Sequence, residues 1–446
     1  MAHRIRKGLD IPIDGRPMDE PSSSRMPRRV GLVAADYVGI HAVADVVLGE
    51  QVLRGQSIWH DRRSPEVKHT APAAGEVVAI EHEAHRVTSV VIEVADEHPE
   101  AQAALPSVEL TPTTDAGRVR DLLLQSGLWT SIRARPFSTI PAADAPAPAA
   151  IFVNGMDTHP LAARPEAILK GRGADLEVGL RALGRLTEGP VFLCRAEGSS
   201  LGDGTTAARI EEFDGPHPAG TTGLHIHTLL PVDRNRSVWH LAASAAARIG
   251  RLFADGELDT SRTIALVGPE VERPRLVHTW QGASLHELTE GELGEGEHRI
   301  ISGSVLSGRA VSDPHDAFLG HYHDQVCVLR EGGERQFLGW LRPGFGRFSA
   351  TRLFAPFMRR VVSSTSSEGA LRPIIPIGVY ERVMPMDLLP THLLRALVVG
   401  DLETAEELGC LELDEEDLDL CSFVCPGKIE YGPHLRRVLN AIEAGE

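Results

Sequence analysis

Apolar positions along the chain follow two rhythms. Through residues 44–80, ADVVLGEQVLRGQSIWHDRRSPEVKHTAPAAGEVVAI, apolar and polar residues alternate in short runs such as EQVLRGQSIW, broken by Gly, Asp and Pro. A period of two puts alternate side chains on opposite faces, so this part predicts short strands joined by turns. From residue 150 the rhythm changes. AIFVNG and PVFLCRA are near-continuous apolar runs, as strands covered on both faces require, and PEAILKGRGADLEVGLRALGRLTEG (165–189) between them has apolar residues at helical spacing. Strand–helix–strand alternation predicts an α/β layer. A Pro/Ala linker, PAADAPAPAA (141–150), precedes it. Residues 261–310 open on the strand-like SRTIALVG, pass through a short helix and end in ISGSVLSG, and 321–352 reads as further strands. From about 353 onward the pattern turns helical, with LLPTHLLRALVVGDLETAEELGC as a pair of helices.

Composition narrows the function classes. With 446 residues, the chain has room for three or four domains of about 100–150 residues each. A net charge of −17 argues against nucleic acid, whose phosphates need clustered Lys and Arg, and against anionic lipid. The start, MAHRIRKGLDIPIDGRP, has no apolar h-region, and no run of 18 apolar residues predicts a membrane-spanning helix. The five cysteines (194, 327, 410, 421, 425) are odd in number and scattered, which reads as reduced thiols in a cytoplasmic protein.

Candidate chemistry is mostly incomplete chemistry. In LCSFVCPGK (420–428), Cys421, Cys425 and Pro426 fit the end of a ferredoxin run, Cys-x2-Cys-x2-Cys-x3-Cys-Pro. The first two ligand positions fall on Glu415 and Leu418, and Cys410 is too far away. In PIIPIGVYERVMPMDLLP (373–390), where a second motif would lie, the positions are Ile374, Ile377, Tyr380 and Met384-Pro385. A disulfide between Cys421 and Cys425 is disfavoured, because i, i+4 positions on a helix put their Cβ atoms about 6 Å apart; a zinc site lacks a quartet. His225 and His227 alternate across Ile226, sharing one face of a presumed strand. They make half a metal site, with His217 and His240 near only in sequence; packed structural histidines are the favoured account. The acidic LELDEEDLDL (411–420) lacks calcium-loop spacing and reads as a solvated helix face or a docking patch.

Several segments resemble known architectures. G-x-x-V-x-x-G-Q followed by A-P-x-x-G-x-V resembles the barrel-sandwich fold of biotinyl and lipoyl domains, but the hairpin tip carries Arg62 and Arg63 rather than a carrier lysine, and Lys68 lies too close to Ala71-Pro72. Residues 261–310 resemble the soluble-ligand-binding β-grasp (SLBB) fold. The order α/β layer, β-grasp, helical end is similar to that of the flavin subunits of the Rnf complex and of respiratory complex I, the Rnf subunit adding a barrel-sandwich. In those relatives a glycine-rich loop cradles the flavin phosphate. The comparable stretch is SGLWTSIRARPFSTIP (126–141), where Ile132, Arg133, Ala134 and Arg135 stand in place of glycines. The relatives' Asn-Gly-x-Glu-x-Glu-Pro phrase becomes NGMDTHP, with Asn154, Gly155, Asp157 and Pro160 kept in type and His159 replacing the second acid. Arg133 and Arg135 could bind an anion, though solvated or interface arginines are the favoured reading.

Taken together, KGLDIPI, GLWTSIRARPFS, MDTHPLA, IGVYERVMP and LGCLELDEEDLDLCSFVCPGK resemble the A-subunit family of the bacterial Na+-translocating NADH:quinone reductase. The resemblance implies four parts: barrel-sandwich over 1–100, Rossmann-like α/β over 101–257, SLBB-like β-grasp over 258–352, and over 353–446 a helical module like a ferredoxin without clusters. It implies a peripheral subunit on the cytoplasmic face of the bacterial inner membrane, joined to the other members of a six-subunit complex that carries electrons from NADH to ubiquinone and exports Na+. FMN, FAD and iron centres are expected in those partners and none in this chain, and no catalytic, cofactor-binding or metal residue is assigned. A stand-alone flavin-dependent quinone reductase and a lysine-acylated carrier are the competing readings.

Overall fold

A computed structural model describes residues 2–18, 21–332, 364–366 and 369–445. The alternating N-terminal segment forms two small sheets. One runs in the order Arg29–Val33, Arg86–Val94, Gly75–Glu83, Gln51–Val52; the other joins Ala42–Ala44, Ser57–Asp61 and Ser64–Thr70. Val77, Val90 and Ile92 are fully buried in the shared core, Val90 and Ile92 alternating as the period of two requires, while the adjacent Ile58 and Trp59 are both buried at a register shift in their strand. Arg62 and Arg63 form the tip of the Ser57–Thr70 hairpin, and Lys68 lies within its second strand, paired with His60.

The second sheet has the order His3–Arg4, Arg209–Asp214, Val191–Ala196, Ile151–Gly155, Val238–Ala242, Arg133–Arg135. All pairs are parallel except the last, in which Arg133–Arg135 runs antiparallel to Val238–Ala242. Both faces are covered. Ile151, Val153, Leu193 and Leu241 pack under the helices Ala116–Ser126, Gly173–Leu183 and Ala243–Asp255. Phe152, Phe192 and Val238 pack with Ile226 of the helix Thr222–Leu229. Gly173–Leu183 and Ala243–Asp255 touch backbone to backbone: a Cβ on Gly179 would lie 1.9 Å from the carbonyl oxygen of Ala246, and one on Gly250 1.7 Å from that of Asp175.

The third sheet has the order Arg309–Ala310, His298–Ser302, Gln325–Arg330, Ser261–Val267, Arg275–Trp280, Pro21–Ser24, with the short helix Leu285–Thr289 against it. The strands expected beyond residue 332, up to 352, lie outside the described residues, as does all of 353–363. The C-terminal helices Pro390–Val399, Leu402–Glu407, Asp419–Val424 and Gly432–Ala444 bury Leu393, Leu397, Leu435 and Leu439 in one cluster, which also takes in Leu224 and Val267. The helical end is therefore packed onto the third sheet and onto the helix Thr222–Leu229 of the α/β layer. Among the described residues, no helix is long and apolar enough to cross a membrane.

Candidate functional site

The chain leaves strand Ile151–Gly155 to build Val191–Ala196 and Arg209–Asp214 on one side, then returns to lay Val238–Ala242 on the other. The strand order reverses there, and open α/β sheets bind ligands outside the carboxyl ends of strands at such a point. A cleft of about 480 Å³ opens at this place. Its walls come from the loop after Gly155, the starts of the helices Thr222–Leu229 and Ala243–Asp255, residues 303–309 and 322–325 of the third sheet region, and Asp414–Glu416.

The NGMDTHP phrase shapes one wall. Asn154 Nδ2 donates to Gly220 O (3.0 Å) and Thr222 Oγ1 (3.1 Å), and its Oδ1 accepts from the Met156 amide (3.0 Å). A Cβ on Gly155 would lie 2.6 Å from a Leu201 methyl and 3.2 Å from the Cys194 carbonyl oxygen, so a side chain there must displace Leu201. Asp157 Oδ1 accepts from the backbone amide of His159 and contacts its Nδ1, both at 2.8 Å. Burial alone would lower the His159 pKa, but Asp157, with Glu416 and Asp419 beyond it, raises it to about 9. Its Nε2 is buried without a partner among the described residues. A pKa above the unfolded value of 6.5 adds stability that is complete below 6.5 and disappears as pH rises through about 9. Wild type is expected to lose thermal stability across that window, and His159→Gln to flatten the slope; a slope unchanged in the variant would contradict the assignment.

The opposite wall corrects two expectations. Arg133 and Arg135 are not solvated arginines, and 411–420 is not a solvated acidic face. Arg135 is 0% exposed, and Asp414 and Asp417 are buried. Arg135 Nη2 lies 3.4 Å from Asp414 Oδ2 and 3.5 Å from Asp417 Oδ2. Arg133 reaches Asp414 Oδ2 at 3.5 Å while its guanidinium stacks 4.7 Å over the Tyr322 ring. Arg436 holds Asp414 Oδ1 (3.3 Å) and Glu415 Oε2 (2.6 Å) from the last helix. Burial pushes the Asp414 carboxyl up, but these arginines outweigh it and hold the group well below the usual range. For Asp417 burial prevails and raises it to about 7. The acidic run folds inward as Asp414 and Asp417 cap its own short helix reciprocally; Asp417 Oδ2 accepts from the Asp414 amide and faces Arg135, and Asp414 Oδ1 accepts from the Glu415 amide and Arg436 while its Oδ2 faces Arg133 and Arg135. In the sequence these residues stand as two separate charge runs; the only signal of their union was opposite sign.

The same arrangement tests the flavin expectation. The stretch compared by resemblance with a flavin-phosphate loop carries buried arginine, already facing carboxylates of the same chain, so these residues do not fit a flavin phosphate. Nor do the C-terminal residues fit an iron–sulfur cluster. Glu415 is taken by Arg436, Leu418 is in the core, and the Tyr380 and Tyr431 hydroxyls lie 3.2 and 3.3 Å from Cys425 Sγ. Cys421 sits in the helix Asp419–Val424, whereas Cys425 caps its end, so the two are not both helical as expected. All five cysteines are free and buried. Replacing Cys421 and Cys425 together by Ser is expected to leave the protein folded, at about 1–3 kcal/mol lower stability for each buried hydroxyl that finds no partner, and to leave metal analysis unchanged. Loss of iron in that variant would contradict this.

The histidine expectation also needs correction. His225 and His227 belong to the helix Thr222–Leu229, not to a strand. Three residues of alternation are too few to fix a period, and residues two apart on a helix diverge. His225 Nε2 bonds Ala219 O (2.9 Å), while His227 bonds Glu412 Oε2 (2.7 Å) and accepts from the Asp387 amide (3.0 Å). His240 lies in Val238–Ala242, and His217 packs on His159 with ring centroids 4.8 Å apart. No cluster suited to a metal occurs among the described residues.

Three family descriptions match the chain: "NqrA N-terminal barrel-sandwich hybrid domain" over residues 3–95, "NqrA second alpha/beta domain" over 114–258, and "NQRA C-terminal domain" over 263–313. Among curated proteins, the A subunit of the Na(+)-translocating NADH-quinone reductase of Klebsiella pneumoniae (strain 342) is 50% identical, with 99% of both chains covered. The protein of the same name from Yersinia pestis is 48% identical over 99% of both, and that of Shewanella amazonensis 46% identical over 98% of this chain and 99% of its own. Among solved structures, an NAD+-reducing [NiFe]-hydrogenase in the H2-reduced state superposes over 53% of both chains at 13% identity, with a TM-score of 0.36, too slight a likeness to bear on function.

Proposed function

The chain belongs to the A-subunit family of Na(+)-translocating NADH-quinone reductases, and from that premise we propose that it serves such a complex at its quinone end without a redox group of its own. The observation that carries this reading is the buried Arg135 between Asp414 and Asp417, which fills with the chain's own charges the stretch that by resemblance would be a flavin-phosphate loop. On this reading the four parts are those expected from the sequence, 1–100, 101–257, 258–352 and 353–446, the second Rossmann-like and the last a ferredoxin-type module whose clusters have given way to Tyr380, Leu418 and their neighbours. FMN, FAD and iron centres belong to partner subunits of a six-membered assembly. The chain sits on the cytoplasmic face of the inner membrane and reaches the bilayer through those partners, which reconciles its acidity with a membrane role.

The switch-point cleft is the place for a ubiquinone ring. A quinone is a flat apolar ring with two carbonyl acceptors. Tyr322 under Arg133 offers an aromatic wall, and the buried Nε2 of His159 a donor with no partner among the described residues. With its pKa raised to about 9, His159 is an imidazolium at neutral pH and can donate to a carbonyl oxygen. The purified chain is expected to lack the flavin absorbance near about 450 nm, a flavin cofactor being the group that would supply it; a stoichiometric band there would favour the stand-alone flavin enzyme. In the assembled complex, a photoreactive ubiquinone is expected to label peptides of the cleft wall. Labelling confined to other subunits would remove the quinone assignment.

A further inference from the structure

A second chamber of about 330 Å³ adjoins the cleft and shares Ile168, Leu169, Ser244 and Asp324 with it. It lies where the helix Ala243–Asp255 meets the strand Ser261–Val267, and the hydrogen bond from Ser244 Oγ to Asp324 Oδ2 (3.1 Å) stands between the two spaces. Four arginines line it. Three have partners. Arg172 pairs with Asp175 (3.2 Å) and Asp259 (2.6 Å), Arg251 with Asp255 (3.1 Å) and Glu257 (3.0 Å), and Arg262 with Asp324 (2.7 Å).

Arg248 differs from these. It is only 3% exposed, yet it has no hydrogen-bond or ion-pair partner among the described residues, and its Nε is buried without one. A guanidinium offers five donors in a rigid fork and takes a carboxylate or phosphate in bidentate fashion. Burying such a cation with its Nε lacking any acceptor and no ion pair among the described residues is costly, and folds keep buried charges only where something accepts from them. The acids of the chamber are drawn to Arg172, Arg251 or Arg262 instead, and none pairs with Arg248 among the described residues, although Asp324 and Asp259 favour its charge from further away. What is missing is an acceptor from outside the chain.

We propose that this chamber binds a small oxyanion, a carboxylate or a phosphate group, on the Arg248 guanidinium. The four lining acids Asp175, Glu257, Asp259 and Asp324 limit how much negative charge can enter, which favours a singly charged group. The volume is at the lower end of the ~300–1,000 Å³ usual for small-molecule sites, so the oxyanion arrives on a compact molecule. Burial and the neighbouring Arg262 pull the Arg248 pKa down to about 9, which still leaves the side chain charged near neutrality.

The full chain is titrated calorimetrically with inorganic phosphate and, separately, with acetate, at ionic strength held constant with chloride. Saturable binding of either is expected, and which one binds distinguishes the two sources of the oxyanion. Arg248→Met should weaken it about ten- to a hundredfold, the worth of one or two hydrogen bonds to a charged group. If that variant does not fold, Arg248→Lys keeps the charge and loses the fork, and should weaken binding less steeply. Failure of wild type to saturate with either anion, or equal affinity in wild type and variant, overturns the proposal. Neither outcome bears on the quinone assignment, which is read from photolabelling of the other space.

Discussion

Arg135→Met is expected to lower stability by about 3–5 kcal/mol, the usual consequence of removing one partner from a buried ion pair. The variant leaves Asp414 and Asp417 buried with less cation than carboxylate. Arg133 and Arg436 still reach Asp414, so the greater loss falls on Asp417, whose ion pair among the described residues is with Arg135. Adding Asp417→Asn to the Arg135→Met background should therefore recover part of the loss, because the uncompensated charge goes with it. Denaturant midpoints of wild type, single and double variants at pH 8 measure both effects. A single-variant loss within about 1 kcal/mol, the range of solvent-exposed pairs, would mean that the cluster is hydrated and does not clamp the helical end to the α/β layer.

Gly250→Ala should also be strongly destabilising, although propensity alone points the other way. Alanine in a helix interior is favoured over glycine by roughly 0.5–1 kcal/mol. At position 250 the added methyl would lie 1.7 Å from the Asp175 carbonyl and 2.8 Å from the Gly179 amide nitrogen, both backbone atoms that cannot rotate aside. The helices Gly173–Leu183 and Ala243–Asp255 must separate, opening the core that Leu180, Ala246 and Ile249 share. Overpacking of this kind costs typically about 1–3 kcal/mol and sometimes more, and the low end already cancels the propensity gain. A thermal midpoint equal to or above that of wild type would show that the helices slide apart freely.

The strands of the α/β layer were legible because their apolar runs are unbroken: Ile151–Gly155 and Val191–Ala196 fall where AIFVNG and PVFLCRA predict them. The helix pair near 390–407 was legible from its apolar spacing and from Gly400, which ends the first helix at φ 77°. Thr222–Leu229 was not, since its buried His225 and Ile226 imitate a strand for three residues. The candidate site was the least legible part. Its charged wall joins residues 133 and 135 to 414 and 417, and burial of both signs at once depends on a tertiary contact that neither run announces. The arginines and acids were each visible in sequence; their neutralising one another was not. His159 stood out as a departure from a pattern, and its role follows only once Asp157 is seen beside it.

The strand His3–Arg4 adds to the α/β sheet beside Phe213–Asp214, and Pro21–Ser24 adds to the third sheet beside Leu276–His278. The barrel-sandwich sheets lie in sequence between these tethers and their distant partners. At about 5–20 residues per second of translation, His3 and Arg4 wait on the order of ten to forty seconds for Phe213, and Pro21 somewhat longer for Leu276. Two unpaired edges thus leave the ribosome early and stay open to other strands, so nascent copies on crowded polysomes are exposed to mispairing until the later sheets emerge and close them.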